Sequence, residues 1–275
     1  MASYRFCRSD DVPLLVQAYE ACFHPHFPQL PALTVDGFRR AARRLDLWTS
    51  SCVVAFSGAQ PIAVLLAAKR PTETLIWALG IHPEHQRHGH GRHLLTSLSQ
   101  KLAVLGPPRL IAEVPAELTP ACALVESCGY RLEDSYVDFA RDERPNASVA
   151  GAELVVPVSL SELQEAGALA SAPPRCWQRD MPSLLRRADE LEGLALVGDE
   201  RIEAWLVRCE REVLAFGTAD PARRPLLGTL FAAAGAGPLS IARVSPQEIP
   251  FDLLQSWGFR PGGRTQRYTA EARAA

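Results

Sequence analysis

The sequence predicts an α/β protein (α+β, with a mixed sheet), built as two tandem domains with a similar order of elements. Three observations support this prediction. Apolar strands and amphipathic helices follow the order β-α-α-β-β-β-α-β-α-β over residues 3–141. Residues 142–152 are polar or small, which is typical of a linker. Residues 153–275 then repeat the order, and Gly129 and Gly258 stand at matching places 129 residues apart.

Composition excludes several classes of protein. Apolar residues make up 47% of the 275 residues and charged residues 22%, which predicts a globular protein. The net charge of −2 favours neither nucleic acid nor an anionic membrane as a partner. No apolar run approaches the ~20 residues of a membrane helix, and no secretory signal is recognised. Seven cysteines without C-x-x-C spacing suggest free thiols, and hence a cytoplasmic location. Composition leaves monomer and homodimer open.

The first elements are a short strand and two helices. Tyr4–Phe6 alternates aromatic and charged side chains, which predicts a short strand. Ser9 is the predicted N-cap of the first helix. Residues 23–33 contain three prolines and are predicted to form a loop. Thr34 is the predicted N-cap of a second helix that ends near Leu45. That helix carries four arginines, which we interpret as a solvated face rather than as a patch for an anionic substrate.

Later elements of the first half alternate strands with helices. The apolar segments Ser51–Phe56 and Ile62–Ala68 predict a hairpin, and Leu110–Val114 predicts a buried strand. Thr119 begins a helix, and Tyr136–Ala140 predicts the last strand of this half.

The most informative stretch is a strand followed by a glycine loop and a helix. Large apolar side chains alternate through Thr74–Ile81, and Gly89 and Gly91 precede a segment with leucines at helical spacing. The first N–H groups of a helix have no intrahelical partner, and the helix dipole favours negative charge there. Glycines let a phosphate approach the main chain closely. The stretch therefore predicts a pyrophosphate site. The leucines are Leu94, Leu95, Leu98, Leu102 and Leu105.

Two short motifs resemble one enzyme family. Gln86-x-x-Gly89-x-Gly91 is similar to the Q/R-x-x-G-x-G/A motif of the GCN5-related N-acetyltransferase (GNAT) superfamily. The segment Glu126-Ser-Cys-Gly-Tyr130 resembles its E-x-x-G-F/Y motif. The resemblance implies two tandem acyl-CoA N-acyltransferase-like domains. Residues 1–141 would form the domain with the intact acetyl-CoA loop, 142–152 the linker, and 153–275 a degenerate second domain.

The resemblance also implies which residues contact acetyl-CoA. The pantetheine arm would lie along the central strand, and the pyrophosphate would bind main-chain N–H groups of the loop. A backbone N–H of this strand, near Leu79–Ile81, would also serve as the oxyanion donor. Gly80 suits the oxyanion role because a strand glycine often marks a bulge or a close backbone approach. The implied cofactor-binding residues are Leu79, Gly80, Ile81, Arg87, His88, Gly89, His90, Gly91 and Arg92.

Catalytic side chains are harder to assign. Glu113 occupies a strand where some members keep a catalytic glutamate, and we predict it as the general base. Val125 stands where many members have the tyrosine that protonates the thiolate, and Leu118 stands where an asparagine often contacts CoA. Cys122 is a distant candidate for the acid, but a small buried hydrophobic residue is the favoured interpretation. The general acid is therefore unassigned.

The predicted function is acyl-CoA-dependent N-acyltransfer. Acetyl-CoA would be the co-substrate, and a primary amine, on a small molecule or a peptide, would attack it directly in a ternary complex. The alternative is a non-catalytic acyl-CoA-binding sensor or regulatory module. A nucleotide-binding domain is disfavoured because no P-loop lysine is present.

Histidines and the second copy offer two further alternatives. Five histidines, at positions 82, 85, 88, 90 and 93, suggest zinc, but the loop would present its main chain to phosphate and no metal is predicted. His24 and His26 lie in the loop that lines the acceptor site in the family. The second copy has Pro225 and only one glycine in its corresponding loop, which favours a structural role. The neighbouring residues Arg223 and Arg224 leave phosphate binding open there.

Overall fold

The computed structural model describes residues 2–142, 154–169, 175–198 and 201–274, so nearly all of the predicted linker lies outside the described residues. The strands are β1 (Ala2–Phe6), β2 (Val53–Ser57), β3 (Gln60–Lys69), β4 (Glu73–Ile81), β5 (Arg109–Pro115), β6 (Arg131–Arg141), β7 (Val155–Val158), β8 (Glu192–Val197), β9 (Ile202–Cys209), β10 (Glu212–Thr218), β11 (Leu239–Val244) and β12 (Arg260–Glu271). The α-helices are α1 (Val12–Cys22), α2 (Val35–Leu45), α3 (His90–Leu105), α4 (Thr119–Ser127), α5 (Leu160–Glu165), α6 (Met181–Leu185), α7 (Leu227–Ala233) and α8 (Phe251–Ser256). No helix in the described ranges is long and apolar enough to cross a membrane.

The chain divides into two compact units that exchange their last strands. The first unit is Met1–Asp134 together with Thr265–Ala275, and the second is Ser135–Arg264. The strand order of the first unit is β1-β2-β3-β4-β5-β12, and that of the second is β7-β8-β9-β10-β11-β6. The two orders correspond strand by strand. In both, the last strand comes from the other half of the sequence: β12 in the first unit and β6 in the second. The compact units therefore differ from continuous domains that end at 141 and begin at 153, although those boundaries remain our prediction for the two sequence copies.

Each sheet is antiparallel except for one parallel pair near its centre. In the first unit the parallel pair is β4 and β5, and in the second it is β10 and β11. The Thr265–Glu271 part of β12 pairs antiparallel with β5. In the second unit β6 pairs antiparallel with β11.

Several element boundaries differ from those predicted. The cap at Thr34 is confirmed, since its hydroxyl accepts a hydrogen bond from Gly37 N at 3.0 Å. Helix α1 begins after Asp11 rather than after Ser9, which places Pro13 in the first turn, where proline costs no hydrogen bond. Strand β12 matches the last strand of the repeated order, but no residue pattern of its own assigns its bounds.

The core of the first unit lies between its sheet and the pair α3 and α4. Four of the five predicted leucines on α3 are buried in it, whereas Leu105, at the end of the helix, is 65% exposed. Tyr268 on β12 belongs to the same core and is 1% exposed. A buried apolar side chain of this size contributes roughly 2 kcal/mol to stability. The first unit therefore depends on residues from the end of the chain.

Candidate active site

A bulge opens the centre of the first sheet. Ile76 and Ala78 pair with neighbouring residues of β3, so Trp77 has no residue opposite it. In the described chain, β4 and β5 pair in parallel only over Glu73–Ile76 and Arg109–Ala112, although both strands continue. A bulge bends its strand and ends regular pairing. The two strands therefore diverge beyond Trp77 and leave a gap, the β4–β5 gap, between their ends.

The exposed edge of β4 presents main-chain groups to this gap. His82 N donates to Ile62 O of the β3 side at 2.9 Å. Because main-chain groups alternate between the two sides of a strand, Leu79 and Ile81 direct theirs towards the β4–β5 gap. The Ile81 carbonyl accepts a hydrogen bond from His26 Nε2 at 2.8 Å. No described residue bonds the Leu79 main chain from the gap, so this edge is available to an extended ligand.

The start of α3 presents unpaired N–H groups. Gly89 is its N-cap, with a φ of 82°, and the first backbone bond of the helix runs from His93 N to Gly89 O at 3.0 Å. The N–H groups of His90, Gly91 and Arg92 therefore have no intrahelical partner. Within the described residues, no side chain caps this helix and its first turn contains no acid. Unpaired N–H groups at a helix start are the kind of donor that can bind an anion.

The two motif glycines and Gly80 are required for different physical reasons. Gly89 adopts a left-handed conformation, which is costly for most other residues. A Cβ on Gly91 would lie 2.8 Å from Leu124 Cδ2, so this glycine lets α3 pack closely on α4. A Cβ on Gly80 would lie 2.5 Å from Cys22 O. Gly80 thus makes room for the end of α1.

Three side chains in the first turn of α3 contact other parts of the protein. The Arg92 guanidinium donates to Ser127 O at 2.9 Å and to Ser127 Oγ at 3.0 Å, so it links α3 to α4. His90 Nδ1 lies 2.5 Å from Tyr4 Oη, and the His93 ring packs on the Tyr4 ring. Burial, and next the neighbouring His88, lower the pKa of His90, which favours a neutral ring. No cluster suited to a metal ion occurs in the part of the chain that the structure describes.

Comparison with known proteins identifies the first unit. Residues 13–130 match the family model described as "Acetyltransferase (GNAT) family". This segment is a GNAT acetyltransferase domain. Acetyl-CoA is the acyl donor of this family, and its acceptors are amines. A search of curated proteins finds no match to this chain.

Solved structures share the fold over the whole chain. A GCN5-related N-acetyltransferase from Sphaerobacter thermophilus is 16% identical, with a TM-score of 0.71, and the match covers 100% of this chain and 96% of that one. One from Anabaena variabilis is 14% identical, with a TM-score of 0.65, covering 99% and 73%. A tandem GNAT protein from the clavulanic acid biosynthesis pathway is 14% identical, with a TM-score of 0.59, covering 100% of both chains. At these identities the likeness establishes the fold alone.

The carboxylate of Glu113 in the GNAT domain is buried beside an arginine from the end of the chain. The Glu113 side chain is 3% exposed, and its Oε1 lies 3.9 Å from Arg267 Nη1. Arg267 pairs with Glu113 across β5 and β12, and its Nε lies 3.1 Å from Glu133 Oε2. No pattern in the sequence pointed to Arg267, because its place beside Glu113 depends on the pairing of β12 with β5. The predicted base is thus held in an ion-pair network that includes the exchanged strand.

Helix α4 of the GNAT domain supplies no hydroxyl at the position where a tyrosine is common. Val125 is 4% exposed and lies in the apolar core. Cys122 is 8% exposed, and its Sγ lies 3.2 Å from Gln266 Oε1 of β12. Tyr268 places its hydroxyl 2.6 Å from the same Gln266 oxygen and 3.0 Å from Glu126 Oε1, and burial raises its pKa. These contacts describe a packed polar cluster, and the general acid stays unassigned.

Truncation of an exposed loop side chain should leave ligand binding nearly intact. We expect His88→Ala to change the affinity of the GNAT domain for coenzyme A by less than about 3-fold, because the predicted contacts use main-chain N–H groups. Isothermal titration calorimetry on the wild type and the variant measures this. A loss of 10-fold or more would show that the imidazole itself contacts the phosphates.

Proposed function

We propose that the first unit transfers an acetyl group from acetyl-CoA to a primary amine, by direct attack of the amine on the thioester in a ternary complex. One observation carries this proposal: a single short loop, residues 82–89, connects the open edge of β4 to the uncapped start of α3. A pantetheine arm is an extended chain with amide groups, and a pyrophosphate is a compact anion. The two features suit the two parts of acyl-CoA in the order in which they are linked.

Main-chain groups would hold the co-substrate. The N–H groups of His90, Gly91 and Arg92 would receive the pyrophosphate. Leu79 and the N–H of Ile81 would pair with the pantetheine arm, while the carbonyl of Ile81 already accepts from His26. Of the predicted contacts, Gly80 would thus act by fitting α1, and the Arg92 side chain by joining α3 to α4.

The chemical step needs an oxyanion donor and a base. An N–H on the gap side of β4, at Leu79 or Ile81, would stabilise the negative charge that develops on the thioester oxygen. We propose Glu113 as the group that removes the proton from the attacking ammonium. The thiolate of CoA would take its proton from water, since Val125 has none to give. The acceptor would be a small-molecule or peptidyl amine.

The buried Val125 favours a second candidate function. A domain that binds acyl-CoA without transferring the acyl group needs no proton donor at this position, and it would act as a sensor or regulator. Measurement of thiol release from acetyl-CoA across a panel of amines separates the two functions. The transferase releases thiol at a rate that depends on the amine, whereas a sensor binds coenzyme A saturably with no amine-dependent release.

Replacement of the proposed base should slow catalysis without weakening binding. We expect Glu113→Gln to lower kcat by roughly 100-fold, with an unchanged KM for acetyl-CoA, because proton transfer by a positioned side chain contributes about that much. Steady-state kinetics with the best amine of the panel measures both constants.

The matched control for this variant is Glu133→Gln. Glu133 contacts the same guanidinium of Arg267 but is 36% exposed. We expect Glu133→Gln to keep kcat within about 3-fold of the wild type. Unaltered turnover of Glu113→Gln would remove Glu113 from the mechanism, and an equal loss in both variants would assign the effect to Arg267.

A further inference from the structure

The second unit repeats the bulge and the opened strand pair of the first. Val213 and Ala215 pair with neighbouring residues of β9, so Leu214 is the extra residue of β10. Within the described ranges, β10 and β11 share a single parallel pair, Glu212 with Ser240, before they diverge. The second unit therefore has a gap of its own, the β10–β11 gap, at the place where acyl-CoA would enter.

Main-chain geometry matches the two gaps residue by residue. Ala219 N donates to Glu203 O of β9 at 3.0 Å, as His82 N donates to the β3 side in the first unit. Phe216 lies three residues before Ala219, as Leu79 lies three residues before His82, so the two correspond. Because main-chain groups alternate between the two sides of a strand, Phe216 directs its carbonyl into the gap. Main-chain groups that are open in the first unit therefore have direct counterparts in the second.

Two arginines fill the β10–β11 gap. Arg179 spans it, donating from Nε to Leu214 O of β10 at 2.9 Å and from Nη1 to Arg243 O of β11 at 3.2 Å. Arg175 Nη2 donates to Phe216 O at 2.7 Å. The edge of β10 that would pair with a pantetheine arm is therefore already hydrogen-bonded by side chains of the same unit.

One carboxylate keeps the two guanidinium groups in place. Glu248 Oε1 accepts from Arg175 Nε at 2.9 Å and from Arg179 Nη2 at 2.6 Å, and its Oε2 accepts from Arg179 Nη1 at 3.0 Å. The three side chains are each no more than 2% exposed. A buried charge that loses its partner strongly destabilises the fold. The cluster is consequently a fixed part of the second unit and not a mobile cover.

A carboxylate also occupies the start of the loop helix in the second unit. Asp220 Oδ1 accepts from Ala222 N at 2.8 Å and caps a 3-10 segment, Pro221–Leu226, that leads directly into α7. Pro225 within this segment removes one N–H. In the first unit the corresponding helix start carries no side-chain cap. An incoming phosphate would meet a bound carboxylate here instead of free N–H groups.

We propose that side chains of the second unit occupy the place in that unit where acyl-CoA would otherwise bind. Arg175 and Arg179 take the carbonyls that a pantetheine arm would pair with, and Asp220 takes an N–H that a phosphate would use. Each chain therefore binds a single acyl-CoA, in the first unit. This inference rests on the proposed function, because it assumes that the first unit binds acyl-CoA.

Calorimetric titration of the full-length protein with coenzyme A tests the proposal. For the wild type we expect a stoichiometry of one coenzyme A per chain. Gly89→Asp places a negative charge in the loop of the first unit, so we expect it to bind coenzyme A about 100-fold more weakly or not at all. A stoichiometry of two would overturn the proposal, as would binding in Gly89→Asp at the wild-type affinity. A wild-type protein that binds no coenzyme A would instead overturn the proposed function itself.

Two variants of the second unit sharpen the test. The double variant Arg223→Ala/Arg224→Ala removes the arginines beside its loop, and we expect the affinity and the stoichiometry to stay within 2-fold of the wild type. Glu248→Gln keeps an acceptor but removes the charge, so we expect a lower midpoint of urea unfolding with an unchanged coenzyme A affinity. A loss of coenzyme A binding of 10-fold or more in the double variant would overturn the proposal, because phosphate would then be bound in the second unit.

Discussion

Gly89→Asp is expected to weaken binding of acetyl-CoA by roughly 100-fold. The aspartate carboxylate would stand at the N-cap of α3, where it accepts hydrogen bonds from the N–H groups that we assign to the pyrophosphate. It would also repel the phosphates, and a like-charge contact at short range near a protein surface costs about 2–3 kcal/mol. Calorimetry with acetyl-CoA gives the affinity, and thiol release gives the accompanying rise in KM.

The matched control is Gly89→Asn, which has the same shape without the charge. A Cβ at position 89 meets no described atom within 4 Å, and asparagine tolerates the left-handed conformation better than most residues. We expect Gly89→Asn to lose about 10-fold or less. Equal affinities for the two variants, or micromolar binding retained by Gly89→Asp, would contradict the placement of phosphate at this helix start. Gly91 is less suitable for this experiment, because a bulky residue there would also separate α3 from α4.

Tyr268→Ala is expected to destabilise the first unit by about 4 kcal/mol and to abolish acetyl transfer at 37 °C. Tyr268 is 1% exposed in the core beneath α3 and α4, and truncation of a large buried aromatic residue leaves a cavity. Strand β12 borders β5 over Thr265–Glu271, so its loss would also release Arg267 from Glu113. Urea unfolding followed by circular dichroism measures the change in the free energy of unfolding.

Tyr268→Phe separates packing from hydrogen bonding. This variant keeps the ring and loses only the hydroxyl contacts to Glu126 and Gln266, so we expect a loss of about 1 kcal/mol and near wild-type turnover. If Tyr268→Ala unfolded with the same urea midpoint as the wild type, β12 would not be part of the catalytic unit. A large fall in kcat with wild-type stability in Tyr268→Phe would instead make the phenol a participant in the reaction.

The sequence alone determined the parts of the protein that depend on local pattern. Alternating apolar residues predicted β4, leucines at helical spacing predicted α3, and the glycines between them predicted the loop before that helix. These predictions succeeded because strand period, helix period and left-handed turns are properties of neighbouring residues. The repeat of elements in the second half was readable for the same reason.

Tertiary structure decided what depends on residues far apart in the sequence. Strand β12 is mostly polar and contains two glycines, so no local pattern indicates it. Its pairing with β5 nevertheless places Tyr268 in the core of the first unit and Arg267 beside Glu113. The requirement at Gly80 comes from the end of α1, and the closed gap of the second unit comes from Arg175, Arg179 and Glu248, which no motif connects. Such contacts follow from packing and strand pairing across the fold, which the spacing of residues along the chain does not encode.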